Sequence, residues 1–502
     1  MRDRGKGELL ATKHYLIFDF GASGGRATVA AFDGSRVQMD VTYRFDNGPV
    51  TAAGTLYWDI LRLASELKLG LQASLRKYPD IVSMAIDTWG CDFGFIDRNG
   101  KLLGNPVTYR DKPRHERSAE LYQIIPRREL FQLCAGSTIE IMGLYQLFSF
   151  KCDQAPEMRE GSRMLMIPDL LNYLLTGRPC SEYTDATMAL VCDQNARGWE
   201  KRILRRLGIP ETILGELVMP GELIGPIQQQ VCEELAIRPI PVVAPATHDT
   251  ASAVTGIPVV DGARHWAFIS TGTWSIAGVE TARPIVTDAC FQSGYGNNAI
   301  ADGRNMVVNY ITGLWIIQQC RRKWMADAGG DIPWGQIVRA SESSGPASAF
   351  IDVDDPAFSL PQADMPAVIV EACRKRGQRL DPSMGAVARC VYESLVLKYR
   401  ANLETLEKLT GRKLDLLHLV GGGIQNQTLC QWTADAMGIP VIAGPTETTS
   451  VGNLLMQLKC TGEISSLEQG REISLRSSEV IRYEPKEREV WDQAFGKYRG
   501  GK

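Results

Sequence analysis

The chain has 502 residues, a formal net charge of −3 and 44% hydrophobic residues. This length exceeds what one hydrophobic core usually supports, so we expect at least two domains. The apolar and charged fractions are those of an ordinary globular protein. The near-neutral charge excludes a strongly basic surface that would gather nucleic acid or an anionic membrane, and we expect neither partner.

The segments that direct export or membrane insertion are not apparent. No apolar run approaches the roughly 18 residues of a membrane helix, and no signal-peptide pattern follows the first basic residues. Twelve cysteines occur singly, without a C-x-x-C pair. We therefore expect a cytoplasmic protein, a monomer or homodimer, with reduced and mostly buried cysteines. Residues 1–13 are left as an unassigned tail, and 491–502 as a C-terminal tail.

Two apolar strands near the N terminus flank a glycine-rich turn. The predicted strands are His14–Phe20 and Arg26–Phe32, with Gly21 to Gly25 between them. A hairpin tip without bulky side chains leaves backbone N–H groups that can hold phosphate oxygens. Asp19 precedes the tip and is placed to hold a hydrated cation, Mg²⁺, near those phosphates.

Polar and aromatic residues follow the next predicted strand, Ile81–Ile86. Asp87, Trp89 and Asp92 come at its end, and Arg110 belongs to a second polar cluster downstream. Such groups suit a sugar, because an indole covers an apolar ring face and carboxylates accept hydroxyl protons. Trp89 is explained about equally well as a core residue.

A short apolar run near the middle of the chain ends at a carboxylate. Pro241–Ala244 is predicted as a buried strand whose end presents His248, Asp249 and Thr250 before a small-residue helix. Asp249 has two interpretations, a helix cap or a catalytic carboxylate. Its position between two similar halves of the chain favours the second.

The second half repeats the hairpin pattern. His265–Ser270 leads through Thr271 to Thr273 into Trp274–Gly278. Two such hairpins half a chain apart predict a duplicated domain whose tips face each other across a cleft. Beyond them, Asn309 to about Trp324 is predicted as an amphipathic helix.

A third glycine turn lies between a predicted strand and a helix. Leu414–Val420 ends in three glycines, Gly421 to Gly423, against which a flat ring could lie, and Asn426 can supply hydrogen bonds. No G-x-x-x-x-G-K-S/T string is present, which excludes the usual P-loop. Nucleotide binding would therefore use the two hairpin tips and this third turn together.

A serine hydrolase remains the rival enzyme, because Gly21-Ala-Ser23-Gly-Gly25 also fits a G-x-S-x-G motif. That motif requires a helix after the serine, whereas a strand is predicted here.

Taken together, these residues resemble the FGGY carbohydrate kinases, specifically the branch that acts on L-rhamnulose. The resemblance runs in order from about Tyr15 to Val480. It rests on Asp19-Phe-Gly-Ala-Ser-Gly-Gly-Arg26, Asp87-Thr-Trp-Gly-Cys-Asp92, Tyr109-Arg-Asp111, Glu182-Tyr-Thr-Asp-Ala-Thr187, His248-Asp-Thr-Ala-Ser-Ala253, Thr271-Gly-Thr-Trp-Ser275, Gly313-Leu-Trp315 and Gly421-Gly-Gly-Ile-Gln-Asn426.

The resemblance implies an α/β fold with two actin-like (ribonuclease H-like) domains around a central cleft. It assigns residues 14–255 to a mainly sugar-binding domain and 256–490 to a mainly ATP-binding domain. It also implies Mg²⁺-dependent transfer of the γ-phosphoryl group of ATP to the 1-hydroxyl of L-rhamnulose, in L-rhamnose catabolism.

Residue roles follow from the same motifs. Asp249 would be the catalytic base. The sugar would contact Gly90, His248 and Thr250, with Asn309 or Tyr310 from the second half. ATP would contact Ala22, Ser23, Gly24, Gly25, Arg26, Thr273, Gln318, Gly421, Gly422 and Gly423.

Two positions depart from the family pattern. Gly24 stands where a second serine is usual, which changes little because the backbone binds the phosphate. Tyr310 aligns with a position usually held by a sugar-binding asparagine, and an asparagine lies one residue earlier at Asn309. L-fuculose or another ketose is therefore an alternative substrate, and a non-catalytic sugar sensor is an alternative of another class.

Overall fold

The computed structural model describes residues 11–111, 116–259 and 265–500. The described residues form two compact units, each assembled from separate stretches of the chain. The first comprises Met1–Val260, Thr281–Met306 and Glu447–Ser478, and the second comprises Asp261–Glu280, Val307–Thr446 and Glu479–Lys502. Residues 1–10 of the predicted tail lie outside the described ranges.

The first unit is built on a mixed six-stranded sheet in the order β5-β6-β4-β1-β2-β3. Its strands are β1 (Lys13–Phe20), β2 (Gly24–Phe32), β3 (Val37–Asp46), β4 (Ser83–Thr88), β5 (Leu223–Pro226) and β6 (Pro241–Val243). The central strand β1 is antiparallel to β2 and parallel to β4, and β6 is again parallel to β4. The predicted first hairpin is confirmed.

Successive side chains of β1 point to opposite faces of this sheet and pack against different helices. Phe18 faces a core that includes Leu67 of α1 (Ile60–Lys77). Ile17 faces the opposite core with Leu454, which lies on a helix near the end of the chain. Both faces of the sheet are therefore covered, because side chains of a strand point alternately to either side.

Two further helices of the first unit matter for the site. They are α2 (Asp249–Gly256) and α3 (Thr448–Cys460). The remaining strands of this unit are Val50–Ala52, Thr55–Tyr57, Phe93–Asp97, Gly161–Met166, Cys180–Glu182, Cys192–Asp193, Gly198–Trp199, Glu216–Val218 and Gly296–Ala299. Its remaining helices are Ser118–Ile124, Arg127–Cys134, Gly143–Cys152, Pro156–Glu160, Ile167–Thr176, Tyr183–Met188, Lys201–Leu207, Glu211–Ile213, Gln229–Leu235, Asp288–Gln292, Ala301–Gly303 and Leu467–Ser477.

The second unit repeats the arrangement of strands. Six neighbouring strands of its sheet are β7 (Trp266–Thr271), β8 (Trp274–Thr281), β9 (Asn305–Thr312), β10 (Leu416–Val420), β11 (Val441–Ala443) and β12 (Ile481–Tyr483), in the order β9-β8-β7-β10-β11-β12. Here too the central strand, β7, is antiparallel to its hairpin partner and parallel to the next strand. This repetition confirms the predicted second hairpin and agrees with duplication.

Helices cover this second sheet as well. They are Trp315–Ala328, Trp334–Ser343, Pro356–Phe358, Met365–Lys375, Met384–Thr410, Gly422–Gln425, Gln427–Met437 and Arg488–Gly500. None of the helices in the described ranges combines the length and apolarity that a membrane span requires. The twelve cysteines are unpaired, and ten of them are buried.

The predicted helix from Asn309 is wrong at its start. Residues up to Thr312 belong to β9, and the helix begins at Trp315. The β-branched and aromatic run before Gly313 favours a strand. Gly313 separates the strand from the helix. The backbone at Gly313 lies close to Ser275, and an added Cβ would be 2.6 Å from the Ser275 hydroxyl oxygen.

The segment assigned from the sequence as a C-terminal tail, 491–502, includes part of a helix. Residues 491–500 lie within the helix Arg488–Gly500, which buries Trp491, Phe495 and Tyr498. Three aromatic residues at helical spacing give this segment an apolar face that is stabilised by packing.

Candidate functional site

The first glycine hairpin is closed by its own backbone. The Gly21 N–H donates to the Gly24 carbonyl oxygen at 2.8 Å, and Asn47 Nδ2 donates to the Gly21 carbonyl at 2.9 Å. A Cβ at Gly25 would overlap the Phe45 ring, so a larger residue there would force that ring to move. The tip borders a cavity of about 520 Å³ lined by Asp19, Gly21, Gly24, Gly25, Arg26, Arg44, Phe45 and Asp46.

Asp19 and Arg26, on opposite strands of this hairpin, form an ion pair. Arg26 Nη2 and Nε donate to Asp19 Oδ2 at 2.6 and 3.1 Å, and the guanidinium also contacts the Glu447 carboxylate. Ala22 is half-buried and Ser23 is exposed at the tip. A strand, not a helix, follows Ser23, so the serine hydrolase alternative is wrong.

Asp249 is the first residue of α2, and His248 occupies the N-cap position. Its Oδ1 accepts from the Thr250 N–H at 2.5 Å and from the Thr250 hydroxyl at 3.1 Å. Partial burial raises the pKa of Asp249 to about 7, and the charge of Asp19 adds to the rise. Because 35% of its side chain stays exposed, a substrate can reach this carboxylate.

Asp87 is fully buried at the end of β4, opposite Asp19 in the parallel register. Asn453 Nδ2, from α3, donates to Asp87 Oδ2 at 2.6 Å. Burial, followed by the charge of Asp19, raises the pKa of Asp87 well above its usual range, and Asp249 contributes in the same direction. The first unit thus brings Asp19, Asp87 and Asp249 into mutual electrostatic influence.

The second predicted carboxylate of this segment, Asp92, lies between two indoles. Its Oδ2 accepts from Trp58 Nε1 at 2.6 Å and from Trp89 Nε1 at 2.9 Å. The two indole rings are 4.2 Å apart between centroids. Burial raises the pKa of Asp92 to about 7. Trp89 is 5% exposed, so it contributes to the core as well as to this cluster.

Gly90, His248 and Thr250 lie near one another in the first unit. A Cβ on Gly90 would be 3.1 Å from His248 Cδ2, and β4 forms a parallel bridge between Thr88 and His248. Burial lowers the pKa of His248 to about 4, which keeps the imidazole neutral. Arg110 is exposed, and its Nε donates to the Tyr109 hydroxyl at 3.1 Å.

The second unit contains a separate cavity of about 690 Å³ beside its hairpin tip. Thr273 Oγ1 donates to Gln318 Oε1 at 3.4 Å at its edge. Gly421 turns the chain out of β10 with a φ of +84°, a conformation that favours glycine. The cavity is lined by Gly272, Thr273, Leu314, Ile317, Gln318, Trp334, Gly335, Val338, Arg339, Tyr392, Gly422, Gly423, Gln425, Asn426, Gln427 and Thr428.

Asn309 and Tyr310 lie on β9 and do not line that cavity. Asn309 Nδ2 donates to Asn402 Oδ1 at 2.8 Å. Both residues belong to the second unit, whereas the other predicted sugar-binding residues belong to the first.

Several residues of this site were not assigned from the sequence. They are Trp58, Glu182, Glu447 and Asn453. Glu182 belongs to the Glu182-to-Thr187 motif, which was noticed without a role. The other three have no local signal in the sequence, because the motif residues that they contact lie far away along the chain. The separations are 34 residues for Trp58 and Asp92, 366 for Asn453 and Asp87, and 421 for Glu447 and Arg26.

Metal binding by side chains alone is not supported. Within residues 11–111, 116–259 and 265–500, no group of three or more His, Cys, Asp or Glu side chains could hold a metal ion. Asp19 and Asp249 supply carboxylate oxygens, which Mg²⁺ prefers, and Mg²⁺ usually takes one or two carboxylates with water and substrate phosphates. The residues present fit such a site.

Two family models match the chain. The N-terminal domain of the FGGY family of carbohydrate kinases matches residues 14–256, and its C-terminal domain matches residues 267–459. The sequence is 34% identical over 483 residues to a rhamnulokinase of Bacteroides thetaiotaomicron, covering 96% of this chain and 98% of that protein. It is also 34% identical to a rhamnulokinase of Klebsiella pneumoniae strain 342, covering 95% of each.

Solved structures share the fold at lower identity. A gluconate kinase from Lactobacillus acidophilus matches with a TM-score of 0.79 at 14% identity, covering 98% of this chain and 97% of that chain. A Plasmodium falciparum glycerol kinase with ADP matches with a TM-score of 0.76 at 15% identity, covering 99% and 98%. The predicted two-domain α/β, actin-like fold class is confirmed.

Proposed function

Because the chain belongs to the FGGY family of carbohydrate kinases, we propose that it transfers the γ-phosphoryl group of ATP to the 1-hydroxyl of L-rhamnulose. The product, L-rhamnulose 1-phosphate, would belong to L-rhamnose catabolism. That the protein is a sugar kinase follows from the family. The observation that supports L-rhamnulose is the 34% identity, over nearly the whole chain, to proteins named rhamnulokinase.

The first unit would bind the ketose, consistent with residues 14–255 as the sugar domain. Gly90, His248 and Thr250 would contact the sugar, and neutral His248 could donate or accept one hydrogen bond at each ring nitrogen. Exposed Arg110 could reach a hydroxyl from the rim. Asp87, Trp89 and Asp92 are more deeply buried. They would pack beneath the sugar-binding surface and hold it in place, in addition to any direct contact with the substrate.

Asp249 would act as the general base. A sugar hydroxyl is a poor nucleophile, and a carboxylate within hydrogen-bond reach can take its proton as the new P–O bond forms. A pKa of about 7 suits that task, because the group is largely ionised just above neutral pH and still basic enough to accept a proton. The proton would move from the 1-hydroxyl oxygen to the Asp249 carboxylate.

Each unit has residues that would contact the nucleotide. Backbone N–H groups from Ala22 to Arg26 would hold phosphate oxygens, as would Thr273 and Gln318 near the second hairpin tip. The cavity beside Gly422, Gly423 and Asn426 is large enough for a nucleoside. Mg²⁺, when bound with the phosphates, would neutralise their charge, and Asp19 would hold it through water.

We expect a panel of ketoses with Mg-ATP to separate the proposed substrate from its alternative. L-rhamnulose should give the highest kcat/KM, with L-fuculose and other ketoses at least tenfold lower, measured by coupled ADP release. A higher kcat/KM for L-fuculose would instead favour the alternative suggested by Tyr310. Sugar binding by calorimetry without any sugar-dependent ADP release would indicate a sensor rather than a kinase.

Gly422→Val should weaken ATP binding without affecting the fold. An added Cβ at Gly422 meets no atom within 4 Å, so the valine would project into the cavity rather than clash. We expect the KM for ATP to rise about tenfold or more, with the KM for the ketose unchanged. Gly330→Val is a matched control, since Gly330 also has open space but does not line the cavity. An unchanged KM for ATP in Gly422→Val would place the nucleotide elsewhere.

A further inference from the structure

One buried carboxylate joins the segments that carry the sugar-binding residues and the base. Glu182 is fully buried and forms the N-cap of the helix Tyr183–Met188. Its Oε1 accepts from the Thr184 N–H at 2.9 Å, and its Oε2 accepts from the Thr184 hydroxyl at 2.5 Å and the Asp185 N–H at 3.3 Å. These three contacts fix the start of its own helix.

The same carboxylate reaches a residue 65 positions later in the chain. Thr247 donates to Glu182 Oε2 twice, through its N–H at 3.1 Å and its hydroxyl at 2.6 Å. On its other side, the Thr247 carbonyl oxygen accepts from the Thr88 N–H at 2.8 Å. Thr247 is therefore held between Glu182 and the end of β4.

Thr247 is followed directly by His248 and Asp249. Because the N–H and the carbonyl oxygen of Thr247 are both hydrogen-bonded, the direction in which the chain enters α2 is fixed, and with it the position of the Asp249 carboxylate. Thr88 likewise precedes Trp89 and Gly90. All of these residues lie in the first unit.

The donors show why a carboxylate is required at position 182. The Asp185 and Thr247 N–H groups meet Oε2 and the Thr184 N–H meets Oε1, and since such groups can only donate, both side-chain positions must hold an acceptor oxygen, which a carboxylate provides. In glutamine the amide nitrogen would occupy one of these two positions in either orientation, turn its own hydrogens toward a backbone N–H and leave buried groups unsatisfied.

We propose that Glu182 is a positioning residue for phosphoryl transfer, which acts through Thr247 on the turn that carries His248 and Asp249. This inference rests on the proposed function, because it assigns Asp249 the role of base. A displacement of about 1 Å at a reacting group can cost about 10²-fold in rate. The effect of losing Glu182 should therefore be on turnover as well as on stability.

The experiment compares Glu182→Gln, Thr247→Val and the double variant under saturating Mg-ATP, with folded sites counted by calorimetric ADP binding. We expect Glu182→Gln to lower kcat per folded site about 10²-fold and to raise the KM for the ketose, with the KM for ATP within about twofold of wild type. Thr247→Val should lower kcat about tenfold. The double variant should be no slower than Glu182→Gln, since both act through one contact.

Glu182→Asp separates the local cap from the bridge. Aspartate is a good N-cap, so the helix start should be retained, but the shorter side chain should not reach Thr247. Its kcat should stay well below that of wild type even when its Tm is close. Full activity in Glu182→Asp would overturn the inference, and this variant carries the test if Glu182→Gln does not fold.

Glu393→Gln is the matched control. Glu393 is also buried and accepts from the Ala347 N–H at 3.3 Å, but it lies in the second unit beside Arg389. It should lose stability while kcat per folded site is unchanged. If Glu182→Gln likewise loses stability without a change in kcat per folded site, Glu182 is structural only. If the effects of Glu182→Gln and Thr247→Val on kcat are additive, Glu182 does not act through Thr247. Absence of sugar-dependent ADP release from wild type would instead contradict the proposed function itself.

Discussion

Asp249→Asn is expected to lower kcat about 10³-fold while leaving the fold and ADP binding intact. Asparagine keeps the shape of the side chain and can accept the hydrogen bonds from Thr250, but it cannot take a proton from the sugar hydroxyl. Loss of a general base typically costs about 10²–10⁴-fold. Coupled ADP release should be measured near pH 8, where a carboxylate with a pKa of about 7 is mostly ionised in wild type.

Asp364→Asn provides the matched control for this change. Asp364 also stands at a helix start, where it accepts from the Ala367 N–H at 3.0 Å, and it belongs to the second unit. Its substitution should leave kcat within about twofold of wild type. Turnover of Asp249→Asn within about tenfold of wild type would remove Asp249 as the base and return it to the role of a helix-start residue.

Gly452→Ala is expected to destabilise the first unit by about 3 kcal/mol. In the contact between α2 and α3, a Cβ at Gly452 would overlap the Ser252 carbonyl oxygen and lie 2.7 Å from its carbonyl carbon. Both neighbours are backbone atoms and cannot rotate away, so the helices must separate. Differential scanning calorimetry should show a midpoint lower by roughly 5–10 °C. Because α2 begins with Asp249, kcat should fall as well.

Gly496→Ala is the control for the glycine change itself. Gly496 lies in the helix Arg488–Gly500, and an added Cβ there meets no atom within 4 Å. Alanine should stabilise that helix by about 0.5–1 kcal/mol, because it loses less conformational freedom than glycine. A Gly452→Ala protein as stable as wild type would mean that α2 and α3 tolerate a wider spacing than the structure indicates.

The elements that the sequence predicts well have local signals. Each glycine hairpin combines two apolar strands with a small-residue turn, and both occur where expected. The start of α2 at Asp249 is likewise marked by an apolar strand followed by small residues. The family can also be recognised, because the order of such motifs along the chain is read directly from the sequence.

What the sequence does not predict depends on long-range contacts. Asn453 donates to Asp87 across 366 positions, and Thr247 donates to Glu182 across 65, and neither pair has a spacing rule. Burial of Asp87 and Asp92 is equally hidden, because a carboxylate at a strand end is usually exposed. The helix predicted from Asn309 failed for a different reason, since a short apolar run fits a strand as well as a helix.

The first unit includes residues 447–478, and this has a consequence for synthesis on the ribosome. Ile17 on β1 packs in one core with Leu454 on α3, so that face of the first sheet lacks its cover until the last tenth of the chain has emerged. Domains usually fold as they are made, beginning at the N terminus. Here the nascent chain exposes an apolar face of its first sheet through nearly the whole of translation, so the first unit completes its core only when synthesis is almost finished.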